Sequence, residues 1–128
     1  MPYPAPPDIG EHGRWPVAVA SNSPRSHLLA GLTRTGLVDR FDAVLGVEEV
    51  TDPKPAPDLY LRACELLRAI PTGSVALEDS PPGVAAARAA GLYVLGVPSV
   101  AGVELEADAV FDSLAEPEVL TTIVEQLD

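Results

Sequence analysis

The sequence predicts an α/β fold in which a mainly parallel sheet lies between helices. Short apolar runs rich in Val, Leu and Ala alternate with segments of helical period, which is the sequence form of consecutive βαβ units. Apolar residues make up 47% of the chain and aromatics only 5%. The core therefore falls to Val, Leu and Ala, as in strands covered on both faces. A length of 128 residues suits one domain with a single core.

Residues 1–15 are Pro, Gly and charge and read as an irregular arm, so the folded core is expected over 16–128. A first strand runs from about Pro16 to Ala20. Ser23 and Pro24 open a helix over roughly 24–35, with Leu28, Leu29 and Leu32 on its apolar stripe and Gly36 placed to stop it. The next strand is Asp42 to Val47, and Asp52-Pro53-Lys54-Pro55 then forces an extended turn, because residues before proline avoid the helical region. Pro57 opens a second helix whose buried face is expected on Leu59, Ala63, Leu66, Leu67 and Ile70. Pro71 and Gly73 break the chain before a strand over Ser74 to Leu77, and an Ala-rich helix from about Pro82 ends at Gly91. Strands at Tyr93 to Val97 and Ala109 to Phe111 follow. An amphipathic helix on Val119, Leu120, Ile123, Val124 and Leu127 closes the chain.

A net charge of −11 argues against sequence-independent attraction to nucleic acid or to an anionic membrane. No apolar run reaches membrane-spanning length, and five prolines by Pro16 occupy the place where a secretory signal would have its hydrophobic stretch. The single cysteine, Cys64, excludes an internal disulfide and sits on an apolar helical face, as a buried structural thiol would. The expected location is the cytoplasm. His12 and His27 are too few and too scattered for a transition-metal site. Trp15 reads as an anchor for the arm, and Val103 to Asp108, with Glu104 and Glu106, as a solvated loop.

Three stretches carry candidate chemistry: VAVASNS ending at Ser23, DPKPAPDLY around Lys54 and ALEDSPPGV around Asp79. All three fall at the carboxyl ends of strands, where open parallel sheets bind ligands. Ser21, Asn22 and Ser23 lead into a helix N-terminus, whose free N–H groups and positive dipole end favour a phosphate. Taken alone, Ser23 reads better as a helix cap. Lys54 is a flexible cation in a stiff Pro-flanked loop, able to neutralise a phosphate and a carboxylate together or simply to be solvated. Glu78 and Asp79 end an apolar strand, a costly place for two carboxylates without a cation. Mg²⁺ suits them because it takes hard oxygen ligands, keeps several waters and bridges to phosphate. The plainer alternative is that Asp79 or Ser80 caps the helix that starts at Pro81-Pro82.

Over roughly residues 16–112 these stretches resemble the haloacid dehalogenase (HAD) superfamily, in its phosphatase and β-phosphoglucomutase-like branch. KPAPD and LEDSPPG, about twenty residues apart, carry the resemblance. It implies a HAD-like Rossmannoid three-layer sandwich and a Mg²⁺-dependent phosphatase or phosphomutase acting on a small phosphorylated metabolite. By the same resemblance, Ser21 orients the phosphoryl group, Lys54 stabilises the nucleophile and the transferring group, and Glu78 and Asp79 hold Mg²⁺.

The resemblance also implies a nucleophilic aspartate in a D-x-D-x-[TV] stretch on the first central strand, followed by a helical cap domain. Neither is found. Asp8 in PPDIGEHG does not qualify, since no second aspartate stands two positions later and no apolar strand precedes it. In the family that aspartate forms an aspartyl phosphate and its partner acts as general acid and base. The expectation is therefore a shortened, catalytically incompetent form, with an incomplete sheet. The gap between the strands ending at Ala20 and Leu77 would be about two strand spacings, roughly 9 to 10 Å. The alternatives are a non-catalytic phosphate-binding or regulatory module, and a half-protein completed as a homo-oligomer or by a strand-donating partner.

Overall fold

Parallel strands need crossovers, and the computed structural model, which describes residues 15–100 and 102–127, supplies them as helices. In chain order the elements are β1 (Ala18–Ala20), α1 (Arg25–Arg34), β2 (Ala43–Leu45), α2 (Asp58–Leu67), β3 (Val75–Glu78), α3 (Pro81–Ala90), β4 (Tyr93–Gly96), β5 (Ala109–Val110) and α4 (Pro117–Leu127). Each strand and helix expected from the sequence is present, with ends moved by a few residues at most. Single 3₁₀ turns at Val38–Arg40, Val47–Glu49 and Pro71–Gly73 were not expected, because one turn carries no periodic signal. The arm residues 1–14, with Asp8 and His12, lie outside the described residues.

Helices α2 and α3 end alike. After each, one residue turns left-handed, Arg68 (φ 56°) and Gly91 (φ 96°). The next N–H then reaches back five residues, Ala69 to Cys64 and Leu92 to Ala87, which satisfies carbonyls that the helix leaves open. Gly91 adopts this conformation without strain, whereas Arg68 carries a Cβ into it. The turn at Arg68 also corrects one expectation. Ile70 leaves the helical stripe and stands 71% exposed, and Leu66 is exposed as well. The buried face of α2 is instead Leu59, Tyr60, Ala63 and Cys64.

All observed strand pairs are parallel. β1 pairs with β2 from Ala18↔Ala43 to Ala20↔Leu45, and β3 pairs with β4, which pairs with β5. The β1–β2 and β4–β5 ladders begin with the same device. Val17 N–H donates to Asp42 Oδ2 while Asp42 N–H donates to the Val17 carbonyl, both at 2.7 Å. Val94 and Asp108 repeat the exchange at 2.7 and 2.9 Å. A carboxylate thus stands in for a strand residue and fixes the register before regular pairing starts.

The two sheets, β1-β2 and β3-β4-β5, are not hydrogen-bonded to each other. Between β1 and β3 lies a cleft of about 690 Å³, lined by both strand edges, by α2 and by Leu120, Ile123 and Leu127 of α4. Two buried clusters flank it. One is built on Leu45, Leu59 and Ala63, the other on Tyr60, Cys64, Val84, Val94 and neighbouring alanines. The cleft explains why the apolar face expected for α4 is only partly covered. Val119 is buried, but Leu120 is 50% exposed, and Leu77 in the middle of β3 is 44% exposed.

These environments separate two leucines of one sheet. Leu95, fully buried on β4, should lose about 3 kcal/mol on substitution by Ala, because its cavity cannot collapse. Leu77→Ala should cost less than about 1 kcal/mol, since part of its side chain already faces the cleft. Urea unfolding midpoints of the two variants check the difference.

Candidate functional site

The site forms where β1 and β3 end. Ala20 closes β1, and the chain turns through Ser21, Asn22 and Ser23 before Pro24 takes the N-cap position of α1. Ser23 does not cap the helix with its side chain; its N–H donates to Ser21 Oγ at 3.1 Å. The Ser21 hydroxyl thus accepts one bond within the turn and keeps its hydrogen to donate elsewhere. The Asn22 side chain clamps the Lys54 backbone. Its Oδ1 accepts the Lys54 N–H at 2.9 Å and its Nδ2 donates to the Lys54 carbonyl at 3.2 Å.

That clamp, in a loop flanked by Pro53 and Pro55, presents the Lys54 side chain to the rim. Its ammonium donates to the Ala20 carbonyl at 2.8 Å and to Glu78 Oε2 at 2.6 Å. One cation therefore joins the ends of the two unpaired sheets, and one N–H remains for an incoming acceptor. Both partners of this ion pair are nearly buried, a setting that is costly unless every charge is met by a neighbour.

Glu78, only 9% exposed, ends β3 with its carboxylate turned inward. Tyr60 of α2 also donates its hydroxyl to Oε2, and its ring centroid lies 5.0 Å from the Lys54 ammonium. Burial first, and then the Glu78 and Asp79 carboxylates, hold the Tyr60 phenol far above its ordinary pKa, so it remains an O–H donor. Oε1 points at the first turn of α3. A Cβ built on Gly83 would stand 1.7 Å from Oε1 and 2.2 Å from the carboxyl carbon. Gly83 is thus required by a side chain five residues earlier. Asp79, by contrast, is exposed at the rim.

The α1 N-terminus is already met by an anion from the chain itself. Arg25 N–H lies 3.0 and 3.2 Å from the two oxygens of Glu48. Backbone N–H bonds from Glu48 itself and from Arg25 hold that carboxyl below the usual carboxylate range. Anion-binding capacity at this corner therefore centres on Ser21 and Lys54. Burial pushes the Cys64 thiol up, as befits a core residue on α2.

Ser21, Lys54, Glu78 and Asp79 thus gather at one rim, Asn22 acts on it through the lysine loop, and Ser23 lies in the turn behind Ser21. Tyr60 and Glu48 escaped the sequence reading. For Tyr60 a signal existed: it lies two residues beyond KPAPD, one position from the apolar Leu59, where a buried phenol would need an acceptor. Nothing local marks Glu48. The donor set suits a hard cation in part. Asp79 offers an exposed carboxylate, whereas Glu78 is engaged through Oε2 by Lys54 and Tyr60 and seats Oε1 against the first turn of α3, so a Mg²⁺ ion here would rest on Asp79 and draw its other ligands from water and phosphate. Among the described residues no group of three or more His, Cys, Asp or Glu could hold a metal.

A family profile described as haloacid dehalogenase-like hydrolase matches residues 10–91. The bifunctional riboflavin kinase/FMN phosphatase of Arabidopsis thaliana is 38% identical over 105 residues, covering 79% of this chain and 28% of that protein. Fructose-1-phosphate phosphatase of Escherichia coli is 41% identical over 86 residues, covering 67% of this chain and 46% of that protein. Among solved structures, CbbY from Rhodobacter sphaeroides in complex with phosphate superposes with a TM-score of 0.76 at 33% identity, covering 82% of this chain and 49% of that one. The chain spans about half the length, or less, of these relatives.

Gly83→Ala should evict Glu78 from its seat. Breaking a buried ion pair by displacing one partner costs about 3 kcal/mol, so the variant's unfolding midpoint in urea should drop by that equivalent. Ala85→Gly, on an exposed position of the same helix, should cost only about 1 kcal/mol.

Proposed function

Because the chain belongs to the haloacid dehalogenase-like hydrolases, we propose that its rim is the phosphate-handling part of a Mg²⁺-dependent phosphatase or phosphomutase for a small phosphorylated metabolite. The observation that carries this reading is the Lys54 ammonium, held between the Ala20 carbonyl and Glu78 with one N–H left over. That N–H and the Ser21 hydroxyl would bind phosphoryl oxygens, with the Asn22–Ser23 turn placing Ser21 and fixing the lysine loop. Fixed donors of this kind stabilise charge on a transferring phosphoryl group without reorganising. Asp79, exposed at the rim, would hold Mg²⁺, which when bound neutralises phosphoryl charge.

The covalent step needs a carboxylate nucleophile. The acidic residues lining the cleft, among those described, are Glu78 and Asp79, and one oxygen of Glu78 is already occupied by Lys54 and Tyr60. In the proposed mechanism the nucleophile is an aspartate on a strand lodged between β1 and β3, and the 128-residue chain by itself binds phosphate without turning it over. A small phosphorylated metabolite as substrate is supported by the relatives, two of which are named as phosphatases of FMN and fructose 1-phosphate. Among the described residues no helix is long and apolar enough to cross a membrane. The reading includes a cytoplasmic location.

The cleft favours a second reading, a non-catalytic phosphate-binding module whose sheet is completed by a second copy or by a strand from a partner chain. It differs in having an assembly whose melting temperature climbs with protein concentration.

The test is hydrolysis of p-nitrophenyl phosphate with Mg²⁺, alongside calorimetric titration with orthophosphate. The chain alone should show binding that Lys54→Ala weakens by about tenfold, the loss of a charge-assisted hydrogen bond, with no turnover. Fusing a D-x-D-x-T strand upstream should bring turnover that Asp79→Asn removes. Turnover by the unfused chain would overturn the assignment of the nucleophile to an inserted strand.

A further inference from the structure

We propose that Tyr60 is a positioning residue for the phosphate-binding lysine, acting through Glu78. The inference rests on the reading of Lys54 as a phosphate ligand and adds a residue from a different helix to that site. Tyr60 touches both members of the Lys54–Glu78 pair. Its hydroxyl donates to Glu78 Oε2, the same oxygen that receives the Lys54 ammonium, and its ring lies 5.0 Å from that ammonium.

The geometry gives Tyr60 work that packing alone does not need. A phenylalanine would fill the same space against Cys64 and Val84, since both clusters around α2 are otherwise apolar. The hydroxyl matters only to the carboxylate. With Gly83 behind Oε1 and two donors on Oε2, the Glu78 carboxylate has one orientation. Remove the phenol and Oε2 keeps one donor, so the carboxylate gains freedom to turn and the lysine loses its fixed counter-ion. A flexible four-carbon stem that is already ordered loses less entropy when it binds an anion. The ring adds a cation–π contact that steadies the ammonium from a third side, beside Ala20 and Glu78. Tyr60 itself is buried and its hydroxyl hydrogen is already given to Glu78. Its effect reaches the ligand through Glu78 and Lys54.

The experiment compares the full chain with its Tyr60→Phe variant by two readouts: the Lys54 side-chain ammonium resonance in ¹⁵N NMR, and affinity for orthophosphate by calorimetry. A hydrogen-bonded, slowly exchanging ammonium gives a resolved signal. Tyr60→Phe should broaden that signal and weaken orthophosphate by about fivefold, the scale of one hydrogen bond, without a matching fall in melting temperature. An unchanged signal with affinity within twofold of the parent overturns the proposal, as does an affinity loss that simply follows a loss of folded protein. Glu78→Gln is the second variant and covers the case in which Tyr60→Phe does not fold. It keeps the shape but removes the counter-ion, so it should broaden the same signal, and an intact Lys54 signal there also overturns the proposal. Adding Tyr60→Phe to Glu78→Gln should change orthophosphate affinity no further. If the parent chain binds no orthophosphate, the phosphate-handling reading falls, and the NMR comparison alone decides whether Tyr60 orders Lys54.

Discussion

The contact between Lys54 and Glu78 is the constraint around which the rest of the structure is arranged. An ammonium and a carboxylate that are mostly removed from water destabilise a fold unless each finds further partners. Here each does. The ammonium adds the Ala20 carbonyl, the carboxylate adds the Tyr60 hydroxyl, and the loop carrying Lys54 is pinned by Asn22. The demand extends to the backbone of α3, where Gly83 must lack a side chain for Glu78 to fit. Residues from β1, from the loop before α2, from α2 itself, from β3 and from α3 thus meet in one network.

The same network answers a structural problem. The sheets β1-β2 and β3-β4-β5 share no strand pairing. Two things hold them together at the rim and below it. At the rim it is Lys54. Below it is α2, whose neighbouring residues belong to different clusters: Leu59 and Ala63 pack with β1 and β2, while Tyr60 and Cys64 pack with β3, β4 and α3. A helix can do this because positions one apart differ by about 100° around its axis, so a single helix presents adjacent stripes to two neighbours. Tyr60 belongs to both systems, one of the cluster residues by its ring and part of the polar network by its hydroxyl. The helix that splices the sheets therefore also sets the orientation of the site's carboxylate.

The order of elements was legible in the sequence because it rests on local signals. Alternating periods gave strands and helices, Pro81-Pro82 marked the start of α3 and Gly91 its end. The meeting of Ser21, Lys54, Glu78 and Asp79 at one rim was legible too, since side chains after parallel strands converge there. What was not legible depended on contacts distant in sequence. Asn22 pairs with the Lys54 backbone across 32 residues, and Tyr60 with Glu78 across 18. No period or spacing encodes such bonds. Glu78 and Asp79 are neighbours in sequence with equal chemistry, and yet Glu78, the last residue of β3, turns inward to Lys54 while Asp79, in the bend just past the strand, is exposed. Ile70 was misassigned for a smaller reason. The helical stripe was extended past Arg68, whose left-handed turn has no glycine to announce it.

The cleft ties folding to chemistry. Lys54 touches the carboxyl ends of both β1 and β3, so the two strands run toward the same rim and their facing edges point along one direction. A strand lodged between them and parallel to both would satisfy two open backbone edges at once, which a helix or loop could not do. It would also cover Leu77 and Leu120, the apolar residues that the cleft leaves half in water. Its own carboxyl end would then emerge at the rim, within the field of Lys54. A carboxylate there would meet the ammonium's remaining N–H, the group proposed to bind phosphate. On this reading the hydrophobic gain of completing the sheet and the delivery of a nucleophile are one event. On the same reading, the ion pair of Lys54 with Glu78 would hold the lysine where the end of such a strand emerges.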